Sequence, residues 1–359
     1  MPENFRVILQ NRPGVQGEPK ETNFHHEVCP FPNSPEPGQV LVKTLYLSVD
    51  PALRCRMNES TGVEYMGPWA LGEMILGLGG VGEVYQSNHE GYTPGDLVQG
   101  AFSWPWTNYF IWEKTSGMDL DKVDRSLVGD RPSLILSVLG LTGLTSLLGI
   151  REKGQLTPGA NETVVISGAA GACGSLAGQI AKLEGAGKVI GICGSDEKCD
   201  YLTGDLVFDS AINYKTQNVA EKLKTTCPDG IQVYFDNVGG DISETVISQM
   251  TPNSRVILCG QISVYNNDVP YPPPISASLE AIIAERKISR DRFLVLNYAA
   301  KFKSGLEQLI TWLADGKIKV RETVAEGLEK AGSAFVSMMK GGNIGKQIVH
   351  VADPTKNTQ

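Results

Sequence analysis

The stretch of this chain best suited to chemistry is Ser167-Gly-Ala-Ala-Gly-Ala-Cys-Gly-Ser175. Gly171 and Gly174 keep the spacing of the last two glycines of a GxGxxG turn, with Ala169 at the first. A β-branched run, Thr163–Ser167, precedes the turn, and a helical pattern, Ser175–Glu184, follows it. Small residues at such a junction let the Gly171, Ala172, Cys173 and Gly174 amides and the helix start close on a pyrophosphate. A tight packing turn without a ligand is the alternative.

The next strand-like run, Lys188–Cys193, tests which dinucleotide would fit. An acidic residue ending that strand accepts from a ribose hydroxyl in NAD sites. Here it ends at Cys193-Gly194, and Ser195 reads as an N-cap that places Asp196 and Glu197 in a first helical turn. Lys198 then stands near enough to meet a 2′-phosphate, which favours NADPH. Asp196 competes as a ribose ligand, and Lys198 reads equally well as a solvated helix residue.

A metal site needs a set of imidazole, thiolate or carboxylate donors at suitable spacing. The chain has 4 histidines (His25, His26, His89 and His350), no Cys-x-x-Cys pair and no Gly-His-Glu context. The expectation is therefore a metal-free reaction. Hydride delivery to a conjugated C=C suits this better than alcohol oxidation, because the substrate carbonyl already activates the acceptor carbon. What remains is to hold a developing enolate, which hydroxyl donors do. Tyr65, Tyr265 and the ribose hydroxyl of the cofactor itself are the candidates, with Tyr265 closing the run Cys259-Gly-Gln-Ile-Ser-Val-Tyr265 at a strand's C-terminal end. The proline-rich Val269–Pro274 that follows reads as a stiff loop or a substrate lid.

These residues need a scaffold. Apolar strand-like runs such as Val40–Val49, broken by Gly and Pro, make the first third β-rich. Leu134–Ile150 is uncharged but interrupted by glycines and reads as a buried core helix. From Thr163 onward, strands and helices alternate through Ala211–Asn213, Gln232–Asp236, Arg255–Cys259 and Phe293–Leu296, as in a parallel sheet covered on both faces. After an amphipathic helix, Leu306–Leu313, the strand-like Lys319–Val324 and Lys346–Val351 suggest that the chain rejoins its first domain. The reading is an α/β protein: a Rossmann domain over 131–304, inserted in a discontinuous β-barrel catalytic domain of 1–130 and 305–359.

Composition agrees. The 359 residues are 41% hydrophobic and 20% charged, with a net charge of −8, which disfavours nucleic acid as a partner. The N-terminus lacks a secretory pattern, no segment reads as a membrane span, and 7 scattered cysteines suit a reduced, cytoplasmic protein.

The motifs Leu45-Tyr-Leu-Ser-Val-Asp-Pro51, Ser167–Gly174, Ile212-Asn-Tyr-Lys215, Tyr234-Phe-Asp-Asn-Val-Gly-Gly240 and Gly341-Gly-Asn-Ile-Gly-Lys346 resemble the zinc-independent medium-chain reductases. Val269–Pro274 and Phe293–Tyr298 resemble the subgroup that reduces 15-keto prostaglandins. The resemblance implies a GroES-like barrel beside the Rossmann domain, and NADPH as cofactor. It also implies hydride transfer to the β-carbon of a lipid enone, giving 13,14-dihydro-15-keto prostaglandins. It assigns Gly171–Gly174 to the pyrophosphate, and Lys198 with Tyr214 to the 2′-phosphate. Asn237, Cys259, Gly260, Gln261, Ile262, Ser263, Val264, Tyr265, Phe293, Leu294, Val295 and Asn343 border the rest of the cofactor. Tyr65, Tyr265, Phe102 and Ser103 face substrate. The family often continues Asp-Pro with Tyr-Met-Arg, where this chain has Ala52-Leu53-Arg54, and Ala101–Trp106 aligns with the subgroup only up to a one-residue shift. A monomer or homodimer is expected. A broad alkenal or quinone reductase and a non-catalytic NADPH-binding protein remain alternatives.

Overall fold

The computed structural model describes residues 3–62, 66–270 and 272–355, so Tyr65 and Tyr271 lie outside the described residues. The chain forms two compact units, one of 1–136, 266–268 and 322–359, the other of 137–265 and 269–321.

In the first unit β1 (Asn4–Leu9) and β2 (Phe24–Cys29) form a separate antiparallel pair. The main strands are β3 (Val40–Ser48), β4 (Leu76–Ser87), β5 (Leu97–Pro105), β6 (Tyr109–Trp112) and β7 (Asp121–Lys122). Two one-turn helices, α1 (Leu53–Arg56) and α2 (Arg125–Val128), punctuate them. Strand β3 is apolar on both faces because both are buried. Its core partners include the fully buried Trp104 and Trp106.

The second unit begins with α3 (Leu141–Leu148). Sequence patterning suggested a single helix over Leu134–Ile150, but the segment is broken: a 3-10 turn over Pro132–Leu136 is separated from α3, whose N-cap Gly140 is extended. The unit continues as β8 (Thr163–Ser167), α4 (Ala172–Leu183), β9 (Lys188–Cys193), α5 (Asp196–Asp200), β10 (Ser210–Asn213) and α6 (Val219–Thr226). It is completed by β11 (Ile231–Asp236), α7 (Gly240–Ile247), β12 (Met250–Leu258), α8 (Ala277–Arg286), β13 (Ser289–Arg292) and α9 (Phe302–Ala314). The six strands are parallel, in the order β10-β9-β8-β11-β12-β13. The order reverses between β8 and β11, and ligands of doubly wound sheets settle outside the strand ends at such a point.

Two expectations are corrected here. The last strand is the polar Ser289–Arg292, with Phe293–Leu296 just beyond it. An edge strand bonded only to β12 has no need of an apolar run, whereas Phe293 and Val295 are buried where the chain turns away. The second unit also extends to Arg321, past residue 304. Helix α9 buries Leu309 and Trp312, and Trp312 lies 5.4 Å from the Arg151 guanidinium, so this amphipathic helix completes the nucleotide unit.

The first unit closes with β14 (Glu322–Glu326), α10 (Ala331–Met339) and β15 (Lys346–His350). Its seven-stranded, mainly antiparallel sheet runs β14-β15-β3-β4-β5-β7, with β6 on β3. The architecture is thus α/β, a Rossmann sheet plus an antiparallel-sheet unit. Among the described residues no helix is long and apolar enough to cross a membrane.

Candidate functional site

The turn after β8 has the shape its glycines suggested. Gly171 N donates to Gly168 O at 3.0 Å, and Gly171 caps α4 with no side-chain bond to the first-turn amides. Those amides therefore point at the loop as a partial positive charge. At Gly174 a Cβ would stand 2.4 Å from Gly168 O and 2.7 Å from Ala169 Cα, so alanine does not fit. Such a cradle can receive an anion.

Past β9, Ser195 is the N-cap of α5 and accepts from Lys198 N at 3.3 Å. Asp196 Oδ1 accepts from Asn213 Nδ2 at 2.7 Å. Asn213 Oδ1 also accepts from Lys215 N at 3.1 Å. The Tyr214 ring lies against Gly194, where a Cβ would meet the phenol oxygen at 2.9 Å. Burial lowers the Lys198 pKa, and Lys215 adds to the effect. The Cys193 and Cys199 sulfurs are 3.4 Å apart, and burial pushes the Cys193 thiol up to about 12, so it adds no negative charge here. Lys215 is near enough to Lys198 to act on it electrostatically.

The strand ends on the other side of the reversal point are laced together. Asn237 donates from Nδ2 to Ser167 O at 2.8 Å, and its N–H donates to Ser167 Oγ at 3.0 Å, joining β11 to β8. Asp236 is fully buried and accepts from Ser243 Oγ at 2.6 Å, Gly239 N at 2.9 Å, Tyr234 Oη at 3.0 Å and Val238 N at 3.1 Å. The run 259–265 then ties back: Gly260 N donates to Asp236 O, Ile262 N to Asn237 O and Ser263 Oγ to Val238 O. The Cys173 thiol beside it, together with burial, pushes the Cys259 thiol well above its ordinary value. Tyr265 Oη accepts from Gln261 N at 3.3 Å. Phe293 N donates to Leu258 O, which brings Phe293, Leu294 and Val295 to the same sheet edge.

In the first unit Phe102 and Ser103 interrupt β5. Gly77 pairs with Trp104 and Gly79 with Ala101, so both residues oppose Leu78 alone, at φ of 56° and 133°. Neither is glycine, so this bulge stores backbone strain. Asn343 donates from Nδ2 to Gly345 O at 2.7 Å in the turn before β15. Tyr65 lies outside the described residues.

Sequence reasoning missed Ser167, Asn213 and Asp236, which organise the site without pointing out of it. Each ends a strand at the sheet's C-terminal edge, and that position was the available signal. The residues present fit a dinucleotide. Gln261 packs against Gly239, and its buried Oε1 has no hydrogen-bond partner among the described residues, an acceptor that a ligand donor could satisfy.

The class defined by this fold and site is that of the NADP-dependent oxidoreductases. Two family patterns match the chain: the N-terminal domain of oxidoreductase over residues 6–120 and a zinc-binding dehydrogenase pattern over 172–293. The chain is 42% identical to the putative NADP-dependent oxidoreductase YfmJ of Bacillus subtilis over 98% of both chains. It is 36% identical to the NADPH-dependent curcumin reductase of Escherichia coli over 97% of both, and 38% identical to prostaglandin reductase 1 of Rattus norvegicus over 93% of this chain and 95% of that one. Its fold matches that of CurA from Vibrio vulnificus in complex with NADPH with a TM-score of 0.86 and 34% identity, over 98% of this chain and 100% of that one. The chain belongs to the zinc-independent medium-chain reductases.

Proposed function

We propose that this reductase uses NADPH to saturate the C=C bond of α,β-unsaturated ketones, and that lipid enones of the 15-keto prostaglandin type are its substrates. The observation that carries the reading is Tyr265. It stands at the C-terminal edge of the parallel sheet with its hydroxyl oxygen accepting from Gln261 N, and we assign its O–H to a substrate oxygen.

NADPH, when bound, supplies the hydride. The Gly171–Gly174 amides hold the pyrophosphate, while Lys198 and Tyr214 hold the 2′-phosphate. Asn237, the run Cys259–Tyr265, Phe293–Val295 and Asn343 are assigned to the nicotinamide half. Tyr265, with Tyr65 as a second hydroxyl, donates to the enone oxygen as it becomes an enolate, so its hydrogen bond is strongest when charge is greatest. Release of the enolate lets solvent protonate the α-carbon, and no dedicated acid is required. The strained Phe102-Ser103 bulge is assigned to the substrate's chain.

The likeness to prostaglandin reductase 1 supports the lipid substrate, and the likeness to a curcumin reductase supports a broader enone scope. An NADPH-oxidation assay over 15-keto prostaglandins, simple alkenals, quinones and aryl dienones, with and without a chelator, separates the two. Product analysis must show a saturated C=C and an intact carbonyl. Loss of activity on chelation and its return with zinc would overturn the proposal.

A further inference from the structure

Arg54, in α1, is fully shielded from solvent. Burying a guanidinium is costly, and the cost is tolerated where its donors are used. Here Nε donates to Asn266 Oδ1 at 2.9 Å, Nη1 to Asn58 Oδ1 at 2.8 Å, and Nη2 to the carbonyls of Gly14 and Gly17 at 2.9 and 2.8 Å. All four acceptors are neutral oxygens. One planar side chain thus joins three stretches of sequence, and the most distant is Asn266.

Asn266 directly follows Tyr265. Residues 266–268 group with the first unit, although the residues on either side of them belong to the second. On its N-terminal side Tyr265 is fastened through the bonds of Ile262 and Ser263 to the end of β11. On its C-terminal side the fastening is Arg54 to Asn266, beyond which residues 268–270 are exposed. A rigid fork holding the adjacent residue restricts the backbone that carries the Tyr265 hydroxyl.

We propose that Arg54 is a positioning residue for reduction: through Asn266 it holds the Tyr265 backbone so that the hydroxyl is aimed before substrate arrives. This rests on the reading of Tyr265 as the enolate donor. The side chain does not touch substrate and does not titrate in the reaction.

The test uses the full-length protein and the Asn266→Ala and Asn266→Asp variants, which leave the buried arginine in place. Asn266→Ala lowers kcat on an enone by roughly tenfold, since small misplacements of a catalytic group have large effects, while NADPH affinity stays at the wild-type value and the melting temperature falls by a few degrees as buried Arg54 Nε loses its acceptor. Amide hydrogen exchange rises over residues 262–270 and not elsewhere. Asn266→Asp keeps kcat near wild type, because its carboxylate still accepts from Nε and adds a charge-assisted bond. Unchanged exchange over 262–270 in Asn266→Ala overturns the proposal, as does an unchanged kcat or an aspartate variant as slow as the alanine one. If the wild type reduces no enone, the functional reading has failed, and the exchange measurement alone decides whether Arg54 fastens this segment.

Discussion

Replacing Lys198 by alanine removes the cation assigned to the 2′-phosphate and leaves the rest of the nucleotide unit in place. Two unit charges about 4 Å apart interact by roughly 4 kcal/mol at the effective dielectric of a partly exposed site. Part of this is offset in the bound state by removing water from the ammonium, a penalty already visible in the way burial lowers the Lys198 pKa. Lys215 nearby still attracts the phosphate. The net loss is expected to be about 2 to 3 kcal/mol, or roughly 30- to 150-fold in Kd. NADH lacks the phosphate, so its affinity changes by less than about threefold. Fluorescence titrations of wild type and variant with both dinucleotides give the four constants needed. The sign with pH follows. The pair needs the lysine protonated, and its pKa lies below the ordinary lysine value, so NADPH affinity falls as pH rises and begins to fall earlier than for an unperturbed lysine. Equal weakening of both dinucleotides, or NADPH affinity unaltered by the substitution, would refute the assignment.

Other substitutions probe the remaining parts. Tyr265→Phe is expected to lower kcat by roughly tenfold or more with little change in NADPH affinity; steady-state kinetics at wild-type rate would remove Tyr265 from the mechanism. Gly174→Ala forces a Cβ to within 2.4 Å of Gly168 O, so NADPH binding measured by calorimetry should be lost or greatly weakened, and intact binding would show that the turn can relax. Asp236→Ala strips the acceptor from Ser243, Tyr234 and two backbone amides. It should cost about 3 kcal/mol or more in stability, read as a lower melting temperature, and an unchanged melt would mean that these donors find other partners.

The nucleotide unit was the more legible part in sequence because its signals are local. Strands β8 and β9 run over Thr163–Ser167 and Lys188–Cys193, where the β-branched runs placed them. The glycine turn sits between strand and helix as its spacing required. Less legible were features that depend on partners far along the chain. The polar β13 is a strand only because β12 lies beside it, and α9 belongs with the second unit because of what Gly305, Leu309 and Trp312 meet there. Position alone left Asp196 as a rival ribose ligand, and its bond to Asn213, 17 positions away, is the kind of long-range contact that local pattern does not show. No pattern in the sequence marks Arg54 as buried, because an arginine with only neutral acceptors is unusual and its acceptors come from three stretches of chain.

The doubled residues opposite Leu78 give the β4–β5 ribbon slack. One position more or fewer at Phe102-Ser103 would be absorbed where the ladder is already broken, and the pairing of Gly80 with Gly100 and Val81 with Gln99 would keep its phase. Relatives can therefore drift in length along this stretch without scrambling the strands on either side.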